Sequence, residues 1–452
     1  MRWFLKLLYP GLGVKRWLIL FTLSFLIVLG ASLALVLGIP GLSTMVRSIF
    51  KKFLALSGGG RGNLLLTLVL GVALLAFAAM GFLRSLLRGV APGNASSVDA
   101  LYQSRYLRRG PRVVVIGGGT GLSTLLRGLK QFTSNITAVV TVADDGGSSG
   151  KLRGELGMPP PGDIRNCLVA LADTETLLEE LFQYRFRGGD GLGGHSFGNL
   201  FLAAMTQMLG FENAVKESGK VLAIRGKVLP VTASNVRLKA TCADGIVIWG
   251  ESNIGRAATA IQRLELIPED TQALSEVLRD IAAADAIVVG PGSLFTSILP
   301  NLLVGGVADA IRSSSALKFY VCNIMTQEGE TRSYTAADHL EAIYQHIGQG
   351  IFDYIVVNSQ SIAPDILGRY AAEGAEPVLV DWERLRRQDI RILAANLLSL
   401  GPVARHDPPA LARCLLSRIA AESYKPTRML DLLLLEAQLK RVSNGAGNDL
   451  PR

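Results

Sequence analysis

Two long apolar runs open the chain, and short apolar runs punctuated by glycine fill the rest of it. Trp17 to Val46 and Gly62 to Leu83 contain no charged residue. About 20 apolar residues carry a helix across a bilayer, so both runs predict membrane helices. A cleaved signal peptide is the alternative for the first. Its apolar stretch is too long for that, and a second run follows. From Arg112 the pattern changes. "RVVVI" is a continuous apolar strand, "GGGTG" a turn, and "LSTLLRGLKQF" places leucines at helical spacing. "NITAVVTVA" is a second buried strand, so the segment reads as a parallel βαβ unit.

Further along, residues 170–186 and 200–209 read as helices, with the glycine-rich loop "RGGDGLGGHSFGN" between them. Residues 220–249 read as strand-rich, with a hairpin at the "ADG" turn. The parallel pattern then resumes. "ADAIVVGPGSLFTSILPNLL" predicts strand, turn and helix; "KFYVCNI" a strand; "AADHLEAIYQHI" a helix; and "FDYIVVNS" a strand. "TRMLDLLLLEAQLKRV" is an amphipathic helix before a polar tail. The expected organisation is a two-helix transmembrane hairpin over 1–90, a polar linker over 91–111, an α/β domain over 112–425, and a helix with tail over 426–452. The expected fold class is α/β, a Rossmann-like, mostly parallel sheet with an inserted β-rich and helical substructure, preceded by two transmembrane helices.

Composition changes this picture only in its location. Hydrophobic residues make up 49% of the chain and the formal charge is +9, but neither is evenly spread. Up to Arg112 there are 14 Lys/Arg against the single acid Asp99; the remainder holds 32 of the 46 cations and 36 of the 37 acids. The basic excess flanks the apolar runs, where it orients helices and meets anionic headgroups; it does not signal nucleic-acid binding. Basic residues on both outer flanks favour two cytoplasmic termini, hence a multi-pass protein of the cell membrane with its globular domain in the cytoplasm. Cys167, Cys242, Cys322 and Cys414 are scattered, as expected of lone thiols in a reducing compartment.

Candidate chemistry gathers at the turns. Glycine lets the backbone approach a ligand closely, and N–H groups at a helix start favour phosphate. Gly118, Gly119, Thr120 and Gly121 are therefore candidate phosphate contacts, although the run is neither G-x-G-x-x-G nor a Walker loop. That spacing argues against an NAD-dependent dehydrogenase. Asp144 and Asp145 close the next strand. An acid there can take a ribose hydroxyl, hold Mg²⁺ against a diphosphate, or cap its own turn. One ligand-facing and one structural aspartate are expected. Gly147, Ser148 and Ser149 follow as a loop able to wrap a polar ligand.

"PPPGDIRN" sets Asp163 as a helix N-cap, with Arg165 and Asn166 as phosphate or base contacts. "GPGSLFTSI" adds Gly292, Ser293 and Thr296 at a second strand end. "GHSFG" matches the nucleophile-elbow pattern formally, but no strand precedes it to strain the serine. His195, Ser196 and Asn199 read instead as polar contacts at a ligand mouth. His346 and His406 sit in helical or proline-rich contexts that suggest no ligand role.

Six blocks in order, "VVVIGGGTGLSTLLRGLK", "VTVADDGGSSGKLR", "PPGDIRNCLVAL", "GGHSFGNLFLAA", "VVGPGSLFTSILPNLL" and "YVCNIMTQEGETRSYTAADHL", resemble the bacterial gluconeogenesis factor (YvcK-like) family. These proteins are relatives of the CofD enzyme, 2-phospho-L-lactate transferase. The resemblance implies a UDP-sugar ligand, especially UDP-N-acetylglucosamine, bound without turnover by a regulator of cell shape, cell-wall synthesis and gluconeogenic growth. No catalytic residue and no resident cofactor or metal is then expected. The transferase branch implies the alternative, an Mg²⁺-dependent transfer from a nucleoside diphosphate-linked donor with Asp144 or Asp145 on the metal. Expected partners are the nucleotide-sugar and the membrane, with room for self-association and for cell-wall synthesis or regulatory proteins.

Overall fold

A computed structural model describes residues 14–36, 61–88, 107–173, 176–189, 191–399, 401 and 403–423. The chain divides into two units, Met1–Arg105 and Tyr106–Arg452. In the first, Val14–Val36 and Arg61–Arg88 are helices, as their proline-free, leucine-rich runs favour. Glycines let them pack closely. Gly71 faces Val28, Gly81 lies directly under the Trp17 ring, and Trp17 meets Phe77 edge-on at 5.6 Å.

Among the described residues, however, no helix is long and apolar enough to cross a membrane. The expected transmembrane hairpin is therefore not supported. Most of the 91–111 linker and the expected helix and tail over 426–452 lie outside the described residues.

The second unit begins before Arg112. A 3₁₀ turn, Leu107–Arg109, buries Leu107, and the Asn135 amide donates to the carbonyls of Arg108 (2.8 Å) and Gly110 (2.7 Å). Ten strands follow: β1 Val113–Gly117, β2 Ile136–Val140, β3 Lys227–Pro230, β4 Arg237–Cys242, β5 Val247–Trp249, β6 Ile261–Ile267, β7 Ala286–Val289, β8 Leu317–Val321, β9 Tyr354–Asn358 and β10 Arg391–Ala395. Seven form one sheet in the order β10-β9-β8-β7-β1-β2-β3, every pairing parallel. Helices cover both faces, which explains why β1, β2 and β7 are apolar at nearly every position and wholly buried. The α/β expectation holds. The strand order reverses between β1 and β7, and open parallel sheets leave a crevice at such a reversal, beyond the strands' carboxyl ends.

The inserted substructure is the antiparallel sheet β5-β4-β6, whose β4–β5 hairpin turns at Asp244–Gly245 as expected. Three local expectations change. Gly147–Leu156 is a helix, closed by Gly157 in the left-handed region (φ 65°), where a ligand-wrapping loop was expected. The single helix expected over 170–186 is two, because Gly162–Leu171 ends at an extended Ala172 before Thr176–Gln183 starts. Within 220–249, β3 leaves the hairpin and joins the main sheet beside β2.

Candidate functional site

The turn after β1 and the turn after β7 meet backbone to backbone. A side chain at Gly121 would strike the Pro291 carbonyl at 2.5 Å, so only glycine allows the contact. Gly118 is equally confined, because a Cβ there would lie 2.6 Å from both Asp163 Oδ2 and Thr141 Cγ2. Gly119 opens the helix Gly119–Leu129 with φ +62°, a left-handed conformation. Asn301 fixes the end of β1 by donating to the Gly117 carbonyl at 3.0 Å. Asn323 clasps the second turn, accepting from the Gly292 N–H (3.2 Å) and donating to its carbonyl (3.0 Å).

Between these turns lies a cavity of about 250 Å³. Gly118, Gly119, Thr120, Gly121, Gly292 and Ser293 line it, together with Asn323, Gln327, Tyr370, Arg405 and His406. Backbone N–H groups in the first turn of Gly119–Leu129 lack intrahelical acceptors and suit an anion. Arg405, exposed on the opposite wall, adds a cation.

The second turn is used differently. Buried Glu330 accepts from the Phe295 N–H (2.9 Å) and the Thr296 hydroxyl (2.8 Å), so this carboxylate fills the place an anion would take. Thr296, expected to touch ligand, is spent on that contact and does not line the cavity. Burial pushes the Glu330 carboxyl above its ordinary range, opposed by these two hydrogen bonds.

Behind the first turn lies a group of acids. Asp144 accepts from the Gly146 N–H at 2.8 Å, a turn closed on its own backbone. Its second oxygen points toward Gly162, 3.1 Å from where a Cβ would stand. Asp145 is structural: it accepts from the Ser252 N–H (2.9 Å) at the start of the helix Glu251–Ile254, with Gly250 packed on its carboxylate. Asp145 is thus the structural member of the pair, while Asp144 closes its own turn and does not line the cavity.

Asp163 does not cap its own helix, whose N-cap is Pro161. It reaches across to accept from the Gly119 N–H. Burial, then the nearby Asp144 charge, pushes its carboxyl up to about 6. Glu251 is pushed up to about 8, first by burial and then by Asp144, Asp163, Asp145 and Glu330. Glu251 thus keeps its proton near neutral pH, chiefly because burial disfavours its charged form and then because the neighbouring acids repel it.

The remaining expected residues form a packed polar network off the cavity. Ser148 Oγ lies 3.0 Å from His195 Nδ1 and accepts from the Asn199 amide at 3.0 Å. Ser196 caps the helix Phe197–Leu209 and also accepts from Arg165, whose other terminal nitrogen donates to Asn166 at 2.8 Å. Ser148, Ser149, Arg165, His195, Ser196 and Asn199 are all nearly buried, so they position the Gly147–Leu156 and Gly162–Leu171 helix starts. Gly147 is exposed at the head of its helix and does not line the cavity.

Sequence reasoning missed Glu251, Glu330, Tyr370, Gln327, Arg405 and His406. The last two come from the far end of the chain. Their one local signal is the break before Pro408 that turns the chain back into the helix Pro408–Glu422.

Comparison with known proteins places this geometry among relatives. Residues 113–398 match the family model for 2-phospho-L-lactate transferase CofD. The gluconeogenesis factor of Bacillus subtilis is 51% identical over 307 residues, 68% of this chain and 97% of that protein. The gluconeogenesis factor of Halalkalibacterium halodurans is 53% identical over 306 residues, 67% of this chain and 95% of that one. A relative from a Nostoc species is 49% identical over 429 residues, 92% of both chains. A crystal structure of a Bacillus halodurans protein superposes with a TM-score of 0.67 at 52% identity, covering 68% of this chain and 99% of that one.

Proposed function

Since the chain belongs to the gluconeogenesis factor family, within the wider CofD family, we propose that its Tyr106–Arg452 unit is a receptor for a UDP-sugar, with UDP-N-acetylglucosamine the first candidate. The observation that carries the reading is one cavity at the sheet's switch point that joins the glycine turn, whose Thr120 and Gly121 N–H groups have no intrahelical acceptor, the Arg405 cation and the Tyr370 ring. The turn and Arg405 suit a diphosphate, and the ring suits a base. Binding without turnover would let the protein report nucleotide-sugar supply to cell-wall synthesis and gluconeogenic growth.

Calorimetry on the full chain tests the reading. Saturable binding of UDP-N-acetylglucosamine is expected, weakened about tenfold or more by Arg405→Ala, the usual cost of a lost charge-assisted contact. No heat at millimolar ligand would overturn it.

The second reading, a transferase acting on a nucleoside diphosphate-linked donor, is favoured by the grouping of Asp144, Asp163 and Glu251 beside the glycine turn. Among the described residues no set of three side chains could hold a metal ion, and Asp145 is committed to its helix. An Mg²⁺ under this reading would rest on Asp144 and on the donor's own phosphates rather than on a cage of protein side chains. Mass spectrometry after hours of incubation with Mg²⁺ separates the two: intact ligand is expected, and released nucleotide would favour the transferase.

The N-terminal helices carry exposed Ile19, Leu23, Phe25, Leu26, Val69 and Leu70, each 49% accessible or more. Apolar surface of that kind supports a lipid-facing role and hence a membrane location for the full chain.

A further inference from the structure

A second cavity, of about 380 Å³, lies over the ends of β8 and β9. Cys322 and Asn323, which follow β8, line it together with Val357 and Asn358, which close β9. The sheet runs β9-β8-β7-β1, so this cavity stands beside the one between the turns after β7 and β1. Two observations tie the cavities together. Asn323 and Ile324 line both of them. The helix Pro364–Ala372 also serves both, with Tyr370 on the first and Leu367, three residues earlier, on the second.

Their chemistry differs. The first cavity has Arg405 and the N–H groups of the glycine turn. Among the described residues, no charged side chain lines the second. A phosphate there would lose its water without gaining a cation. Ile362, Leu367, Val378 and Val380 line it while only half-buried, so they hold apolar surface still open to a ligand. The loop after β9 supplies a polar edge. Asn358 braces that loop, donating to the Gln360 carbonyl (2.8 Å) and accepting from the Leu397 N–H (3.1 Å). The Gln360 amide and the Ser361 hydroxyl line the cavity and make no side-chain hydrogen bond among the described residues. Size points the same way. At about 250 Å³ the first cavity is smaller than the roughly 300–1,000 Å³ usual for small-molecule sites, and the second brings the pair into that range.

We propose, resting on the nucleotide-sugar reading above, that the second cavity is the subsite for the ligand's uncharged end, its N-acetylated hexose. The diphosphate stays with the glycine turn and Arg405, and the base with Tyr370. The hexose passes Asn323 and Ile324 and lays its C–H face and acetyl methyl against Leu367, Val378 and Val380. Its hydroxyls turn toward Gln360 and Ser361.

Calorimetry on the full chain with UDP-N-acetylglucosamine and with UDP, which has no hexose, tests the subsite. Leu367→Trp and Ser361→Trp each place bulk in the second cavity, and neither residue lines the first. Each should weaken UDP-N-acetylglucosamine about tenfold or more and keep UDP within about threefold of wild type. Arg405→Ala should instead weaken both ligands alike, because its contact is to phosphate. Ser361 is exposed in a loop, so Ser361→Trp carries the test even if Leu367→Trp does not fold. Unchanged affinity for UDP-N-acetylglucosamine in the folded variants, or an equal fall for both ligands, would overturn this subsite alone. Failure of wild type to bind UDP-N-acetylglucosamine would overturn the nucleotide-sugar reading with it.

Discussion

Glu251 shows how much of this site is set by groups that no short motif contains. Its carboxyl is raised from an ordinary 4.5 to about 8 by burial and by four other acids. A carboxyl whose folded pKa exceeds its unfolded one holds its proton more tightly in the fold. Full stability therefore belongs to pH below about 4.5, and stability is lost progressively as pH rises toward 8. Glu251→Gln removes that loss. The variant should melt with the wild type near pH 4.5 and above it at pH 8, by roughly 2–4 kcal/mol given partial solvent screening. Scanning calorimetry at the two pH values decides it, since an equal offset at both would contradict the linkage. The glycine turn was legible beforehand because close approach demands glycine, as Gly121 against the Pro291 carbonyl illustrates. Which of Asp144 and Asp145 is structural was not legible beforehand. Ser252, which decides between them, is brought near by the inserted sheet.

Elements buried on both faces were the easiest to read, because strands such as β1 and β7 must be apolar throughout. Gly147–Leu156 was missed for the opposite reason. Its glycines dilute the helical pattern, and tertiary contacts supply what propensity lacks: Leu152 is buried, and Arg153 donates to the carbonyls of Val236 and Ala143. The short helix Glu251–Ile254 is likewise fixed from outside, by Asp145 accepting from its Ser252 N–H. Asp145→Ala should therefore cost about 1–2 kcal/mol of stability, the usual price of a lost cap, with affinity for UDP-N-acetylglucosamine kept within about threefold. Thermal melting and calorimetry on the same sample check both halves. A large affinity loss with unchanged stability would make Asp145 a ligand contact instead.

At the scale of the molecule, the relatives match different lengths of this chain. The Bacillus subtilis and Halalkalibacterium halodurans proteins are matched almost from end to end by about two thirds of this chain. The Nostoc alignment is longer than all of Tyr106–Arg452, so it runs into the N-terminal helices. A domain that occurs without those helices must bury its own core, as the sheet and its covering helices do here. The Tyr106–Arg452 fragment should accordingly fold alone and bind UDP-N-acetylglucosamine within about threefold of the full chain, because the cavity draws every lining residue from that unit. The exposed leucines, isoleucine and phenylalanine of the N-terminal helices should act on location alone. The full chain should then sediment with membranes, resist extraction by high salt and be released by detergent, while the fragment stays in the supernatant. Full-length protein recovered without detergent in the soluble fraction would remove the lipid-facing role and leave the ligand site untouched. A fragment that folds but loses the nucleotide-sugar would instead make the N-terminal unit part of the binding machinery.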